Sequence, residues 1–385
     1  MSAFIPYGSQ QVTPDDVKAV SETLQSAFLT TGPALKGFEE VFTGLLGCEH
    51  AIAVSSATAG LHVAYLALGL GEGDTLWTSP NTFLATANAA RLCGADVDFV
   101  DIDPGTFNMC ADALEEKLKR AEKLPKIVAP VHFAGQICDM EKIWALAKEY
   151  GFYVVEDAAH AVGATYKGKP AASGRHSHAA VLSFHPVKII TTGEGGLVTT
   201  NDAAIAEGCR KFRSHGMEKT PEIAQAHGGW YYEMSEVGLN YRMTDIQAAL
   251  GSSQLTRLRE NIARRKEIAA TYHQALNDLP FGCQQPNPDG ESSWHLFVIT
   301  CASSAERRAL YDYFHQNNVG VQVHYIPVHT QPYYRGLGFK RGDFPHAERY
   351  YDTCLSVPMF HGLTDAQQQR VIGLLRAFCQ QQKTA

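Results

Sequence analysis

The stretch that decides the fold is Ser183-Phe-His-Pro-Val-Lys188-Ile-Ile-Thr-Thr-Gly-Glu-Gly-Gly196. It holds a single lysine, Lys188, among mostly apolar, small and hydroxylic residues. Residues 181–184 read as a short buried strand and residues 196–200 as another, which puts Lys188 on the turn of a hairpin. A lysine partly removed from water has its ammonium form disfavoured, so the free amine becomes available as a nucleophile toward an aldehyde. The competing reading is an ordinary hairpin lysine with its head in water. What the rest of the chain supplies decides between them.

Working outward toward the N-terminus, residues 51–200 alternate short β-rich runs with helical periodicity. That pattern argues for an α/β fold with a mostly parallel sheet wrapped by helices. The runs fall at residues 51–54, 75–80, 97–100, 126–131 and 152–155. The last is continuously apolar, as in a central strand covered on both faces. Glu156-Asp157-Ala-Ala-His160 follows at its carboxyl end, the edge where ligands bind in open α/β sheets. A carboxylate there can hold a pyridine nitrogen protonated, which makes the ring of pyridoxal phosphate an electron sink. Lys188 would then form the Schiff base, and His160 could reach the ring's phenolic oxygen or stack beside it. Two other readings stand beside this one. Asp157 also suits the cap of the next helix, and Glu156, Asp157 and His160 together suggest a metal site. No HExxH or other spaced ligand set completes the metal site, so none is expected.

Ser55-Ser-Ala-Thr58 joins the first run to a helix over residues 59–68. Small residues at a strand-to-helix turn let backbone N–H groups approach an anion, making a phosphate cradle with Ala57 and Thr58 as donors. An ordinary capped helix would read the same way. Phe83, in Asn81-Thr-Phe83, can stack on a planar cofactor or fill the core.

The flanks complete the organisation. Thr13-Pro-Asp-Asp16 opens a helix to about Ser26, with Thr13 as cap and the acids at the positive end of the dipole. A second helix covers residues 34–46. Past Lys211 the composition turns polar, and Trp230-Tyr-Tyr232 is read as returning the chain to the core or a pocket. One long helix is expected over residues 245–276, then a strand at 294–301, a helix at 304–317 and a strand at 321–326. Thr364-Asp-Ala-Gln367 is a capping box that opens a terminal helix to Phe378. The expected division is a large domain, 1–260, with the N-terminal helices, and a small C-terminal α+β domain, 261–385.

Bulk properties exclude several classes. The 385 residues carry a formal charge of −7 and no Lys/Arg block, which argues against a nucleic-acid surface. No run reaches the length of a membrane span, and Met1-Ser-Ala-Phe-Ile-Pro6 lacks the pattern of a leader. Nine cysteines without a CxxC pair read as buried thiols in a reducing compartment. The expectation is a cytoplasmic enzyme.

These residues, in this order, resemble the pyridoxal-phosphate-dependent sugar aminotransferases of the DegT/StrS family. The matching elements are Ser55-Ser-Ala-Thr58, Asn81-Thr-Phe83, Glu156-Asp157-Ala-Ala-His160, Ser183-Phe-His185, Lys188 and Thr192-Gly-Glu-Gly-Gly196. Arg213-Ser-His-Gly216, Asn240-Tyr-Arg242, His324-Tyr325, Pro327 and Leu355-Ser-Val-Pro358 continue the match. The resemblance implies fold type I of the pyridoxal-phosphate transferases, the aspartate-aminotransferase-like class. It implies Lys188 as the Schiff-base lysine, Asp157 on the pyridine nitrogen, and Ala57, Thr58 and Ser183 on the phosphate, with Phe83 stacked on the ring. An asparagine matching Asn240 would reach the phosphate in a neighbouring subunit, making a homodimer the functional unit. Tyr7, Ala27, Phe28, Leu29, Thr30, Gln322, Val323, His324 and Tyr325 match positions lining the sugar-nucleotide pocket. Two departures are His160, where many members carry glutamine, and Gly60, where alanine or leucine is commoner. Gln322-Val-His-Tyr-Ile-Pro327, Ser183-Phe-His185 and Arg213-Ser-His-Gly-Met217 look closest to one branch of the family. That branch makes UDP-4-amino-4,6-dideoxy-N-acetyl-β-L-altrosamine, a pseudaminic acid precursor, from the UDP-4-keto sugar with glutamate as amino donor.

Overall fold

The computed structural model describes residues 3–384. Met1 and Ser2, the start of the stretch read for a leader, lie outside them. The central sheet contains β1 (His50–Val54), β2 (Thr75–Thr78), β3 (Asp96–Phe99), β4 (Ile127–Ala129), β5 (Tyr153–Asp157), β6 (Ala179–Ser183) and β7 (Gly196–Thr200). Their spatial order is β1-β7-β6-β5-β4-β2-β3. The run from β6 through β5, β4 and β2 to β3 is parallel, whereas β7 is antiparallel to both β6 and β1. The loop carrying Lys188 explains the exception: it holds no crossover helix, so β7 must return beside β6 in the opposite sense.

Period-two alternation sends the side chains of β6 to two cores. Leu182 joins Phe38, Phe42, Val154 and Leu197 on one face, and Val181 joins Ile52, Val155 and Val198 on the other. Full burial of each such aliphatic side chain contributes about 1.5–3 kcal/mol. The helix Ala57–Ala67 packs on the second face at close range. A Cβ at Gly60 would lie 2.8 Å from Val181 Cγ1 and 3.3 Å from Val54 Cγ2, which accounts for glycine in a helix interior.

The N-terminal helix, Pro14–Leu24, starts at a full capping box in which Thr13 and Asp16 serve each other's backbone. Asp16 is wholly buried, and besides the cap it accepts from Ser253 and Gln254 and pairs with Arg257 at 2.8 Å. The expected long helix is two, Asp245–Leu255 and Leu258–Leu276. Arg257 leaves helical geometry (φ −104°, ψ 7°) where its guanidinium turns to the buried Asp16. The second of these helices puts Leu258 in the first core and Ile268, Tyr272 and Leu276 in a third. That third core gathers Phe297, Leu310, Phe314, Leu355, Val371 and Leu375, with Ile5 bridging to Val319.

Two further expectations are corrected. Residues 321–326 form no strand. Gln322 exchanges both backbone hydrogen bonds with Ser356, at 3.1 and 2.7 Å, and the chain then turns toward a cavity. Its place in the small sheet is taken by Cys354–Val357, unforeseen, which pairs with Phe297–Thr300. Trp230 does not return to a core or pocket: it is 81% exposed, and Tyr232 is 57% exposed. The segment closes on itself instead, through a short antiparallel pair, Met217–Glu218 with Glu233–Met234. The capping box at Thr364 and Gln367 forms as read. Six of the nine cysteines are buried and three, Cys93, Cys110 and Cys283, only half-buried.

Candidate active site

The carboxyl ends of the parallel strands open on one edge of the sheet, and a cavity of about 810 Å³ lies there. Lys188 lines it from a loop tied down on both sides. Phe184 is wholly buried against Phe38 and Phe42, with ring centroids 5.4 and 5.3 Å away. Its carbonyl accepts from Thr192 N and Thr191 Oγ1, both at 3.0 Å. Beyond the lysine, Ile189 and Ile190 are buried. Lys188 itself keeps part of its surface on the cavity. Removal from bulk water brings its ammonium down to about 8, with Asp157 pulling the other way. The result is a substantial fraction of free amine near neutral pH.

Asp157 ends β5 and lines the same cavity. Thr86 Oγ1 donates to its Oδ2 at 2.6 Å, and Ala159 N donates to Oδ1 at 3.1 Å. A third donor from the cavity would find the carboxylate already aimed. Alternation along β5 sends Glu156 elsewhere, to His132 Nε2 at 2.7 Å and to Ser177. Glu156, Asp157 and His160 therefore do not converge, and no metal-ligand cluster occurs among the described residues.

At the end of β1, Ser56 caps the helix Ala57–Ala67 by accepting from Ala59 N at 3.1 Å. The helix begins two residues earlier than its periodicity suggested, so Ala57 and Thr58 sit in its first turn, where N–H groups have no intrahelical acceptor. Ser183 ends β6 beside them on the cavity wall. Gly196 lets β7 approach this turn, since a Cβ there would meet Ala57 N at 2.6 Å. The N-terminal turn, its dipole and the Ser183 hydroxyl make a pole suited to a phosphate.

Phe83, 57% exposed, stands at the cavity mouth with its ring 6.0 Å from that of Tyr325. His160 packs 4.3 Å from His295 and accepts at Nδ1 from Ala134 N, at 3.2 Å. Its Nε2 lies 3.1 Å from Tyr325 Oη. His324 pairs with Ser356 Oγ at 2.8 Å and faces Tyr7 at 5.5 Å between rings. Burial and the nearby Lys188 bring His324 down to about 3. Burial first, then Lys188 and His324, also keep His160 well below its ordinary value, and His295 is lowered similarly. Burial thus favours the neutral form of all three imidazoles.

The structure thus brings Tyr7, Ala57, Thr58, Phe83, Asp157, His160, Ser183, Lys188 and Gln322 to Tyr325 into one cavity. It leaves out Asn240 and residues 27–30, all of them exposed. Thr30 bridges to Thr244 and Asp245 N donates to Leu29 O, whereas Asn240 bridges to Ser214 and the next residue, Tyr241, accepts at its carbonyl from Ser55 N. Two site residues escaped the sequence reading. Thr86 follows Phe83 by one helical step, a spacing that could have signalled it. His295 falls in the strand expected at 294–301, but that strand begins only at Phe297, and His295 lies in the loop before it.

An amine with a lowered pKa, a pre-aimed carboxylate and an anion-binding helix start fit pyridoxal phosphate. Fold and site together define an aminotransferase-like enzyme of the α/β class. The chain belongs to the DegT/DnrJ/EryC1/StrS aminotransferase family, whose profile matches residues 10–376. It is 40% identical to the spore coat polysaccharide biosynthesis protein SpsC of Bacillus subtilis (strain 168), covering 97% of this chain and 96% of that one. Among solved structures it is similar to PseC of Helicobacter pylori, an aminotransferase of pseudaminic acid biosynthesis. There the TM-score is 0.91 at 31% identity, over 98% of this chain and 100% of that one. The putative sugar aminotransferase Spr1654 of Streptococcus pneumoniae also superimposes with a TM-score of 0.91, at 27% identity over 98% and 99% of the two chains. Aminotransferases of this family use pyridoxal phosphate, and Spr1654 is also solved in a PLP form. This chain is a sugar aminotransferase.

Proposed function

We propose that the enzyme transfers an amino group from glutamate to C4 of a UDP-4-keto-6-deoxy-N-acetylhexosamine, giving UDP-4-amino-4,6-dideoxy-N-acetyl-β-L-altrosamine. The carrying observation is the meeting of Lys188, Asp157 and the Ala57–Thr58 helix start on one sheet edge, in a chain similar to PseC along its length. Bound pyridoxal phosphate would supply the carrier of the amino group and an electron sink in its ring. The chain's own groups do the rest. Lys188 Nζ would hold the cofactor through its amine and, once released, would carry a proton. Asp157 would keep the ring nitrogen protonated. Ala57 N, Thr58 N and Ser183 Oγ would bind the phosphate, with Phe83 and His160 beside the ring. Tyr7 and residues 322–325 form the wall against which the sugar nucleotide lies.

The working unit in this reading is a cytoplasmic homodimer, with the small domain beginning near residue 261. Asn240 and residues 27–30 are exposed and line no part of the chain's own cavity, which suits groups that serve a partner's site. Mixing Lys188→Ala with Asn240→Ala subunits should give heterodimers with one intact site and activity above either parent. No recovery after demonstrated exchange removes the shared site.

A second reading, amination of another nucleotide-linked 4-keto or 3-keto sugar, is favoured by the higher identity to SpsC, a protein named for spore coat polysaccharide. Incubation with a panel of UDP- and dTDP-keto sugars plus glutamate, with products identified by mass, separates the two. The first reading expects the UDP-4-keto-6-deoxy-N-acetylhexosamine to be aminated fastest. Faster amination of a dTDP or 3-keto sugar replaces it with the second.

A further inference from the structure

His160 sits between a fixed donor and a phenol, and that order determines where protons lie. Ala134 N can only donate, and it meets His160 Nδ1 at 3.2 Å. Nδ1 must therefore present its lone pair, and the neutral ring carries its proton on Nε2. Nε2 is 3.1 Å from Tyr325 Oη, so the imidazole donates and the phenol accepts. Tyr325 then cannot spend its own proton on His160 and directs it to another acceptor.

We propose that His160 is a positioning residue: held by Ala134 as the Nε2–H tautomer, it fixes the Tyr325 hydroxyl proton as a donor into the cavity. The ligand group it would meet is an oxygen acceptor, a carbonyl or anionic oxygen of the cofactor–substrate assembly.

Independent features hold the relay in place. Ala134 has φ of +60°, the left-handed region that residues with a Cβ rarely adopt, and this conformation accompanies the aim of its N–H at His160. The His160 ring is more than nine-tenths buried and lies nearly parallel to Tyr325, at 28° and 6.1 Å. Phe133 meets Tyr325 edge-on at 6.2 Å, and His295 backs His160 at 4.3 Å. The same order of acceptor and donor can be kept by glutamine but not by glutamate. Gln presents a carbonyl oxygen to accept and an amide N–H to donate, the same order as Nδ1 and Nε2–H. Glutamate presents acceptors only and would turn the Tyr325 proton back toward itself.

The inference deepens the aminotransferase reading of this cavity, and only its kinetic arm depends on that reading. In the first arm, imidazole ¹⁵N NMR of the histidine-labelled protein, with His160 assigned by comparison to His160→Gln, reads the tautomer without turnover. A neutral ring protonated at Nε2 across neutral pH is expected. A proton on Nδ1, or a cationic ring, overturns the proposal. In the second arm, kcat of His160→Gln should exceed that of His160→Glu by about tenfold or more, the scale of one hydrogen bond to a charged or developing-charge group. Adding Tyr325→Phe to His160→Glu should cost much less than Tyr325→Phe costs in the wild type. Equal rates for Gln and Glu, or fully multiplicative losses, overturn it as well. If the Glu variant fails to fold, the NMR result decides alone.

Discussion

Residues 183–196 and residues 322–327 close on the same cavity from opposite sides, and they are held by different means. The first segment is continuous with β6 and β7, and its backbone is pinned at Phe184 by Thr192 N and Gly195 O. The second leaves the small sheet after a single bridge, Gln322 with Ser356. Beyond that it is fixed mainly by side chains: His324 on Ser356, Tyr350 Oη on His324 O at 2.7 Å, and Tyr325 on His160. A ladder-anchored loop places a reacting atom reproducibly, whereas a wall held by side chains can be recut for a new sugar without disturbing the chemistry. Substitutions on the sheet side should therefore change kcat, and substitutions on the opposite wall, apart from Tyr325 whose hydroxyl His160 orients, should change KM.

The largest effect on the sheet side short of removing the lysine is expected at Asp157. Asp157→Asn removes a pre-aimed charge, and such losses amount to about 3 kcal/mol or more in the transition state, roughly 10²-fold in kcat. No helix follows β5 directly, so Asp157 caps none, and a variant within a few-fold of wild type would leave it only its hydrogen bonds from Ala159 N and Thr86 Oγ1. Cofactor rebinding to stripped protein tests the same side through pH. The nucleophile is the free amine of Lys188, whose ammonium is brought down to about 8 by burial. Below that value the amine fraction falls about tenfold per pH unit, so the covalent rebinding rate should rise with pH and level off above about 8. A rate still climbing toward pH 10 would mean that the lysine is solvated like any other.

On the opposite wall, Gln322→Ala should raise KM for the sugar nucleotide about tenfold or less while kcat changes little, the signature of lost uniform binding. A fall in kcat with KM unchanged would erase the distinction between the two sides. The smallest effect concerns the support beneath the helix start. Gly60→Ala gains about 1 kcal/mol of helix propensity. Its Cβ, however, would stand 2.8 Å from Val181 Cγ1, and overpacking of that kind costs about 1–3 kcal/mol. A net destabilisation of about 1 kcal/mol is expected in denaturant unfolding, and a more stable variant would show that the helix is free to shift.

The same contrast explains what could be read from the chain. The strands around Asp157 and Lys188 are short apolar runs with function at their ends, and local pattern carries both. Residues 321–326 also look like a strand, since Val321, Val323 and Tyr325 alternate with polar residues. Their alternation serves a cavity wall, however, and the pairing partner of Ser356 ends after one bridge. Residues 245–276 show helical periodicity without a break because the break comes from Asp16, more than two hundred positions away. Trp230 looked like a core residue by composition alone, and nothing in its neighbours records that the segment folds on itself in solvent. His295 reaches the site only through tertiary packing on His160. What is local in the chain was legible; what depends on a distant partner was not.

The central claim is that Lys188 is the amine that carries the cofactor. Borohydride reduction of the purified holoenzyme, followed by peptide mapping by mass, tests it most directly. The account predicts a stable pyridoxyl adduct on the peptide containing Lys188, and no adduct anywhere after Lys188→Ala. An adduct on any other lysine of the wild-type chain would contradict it.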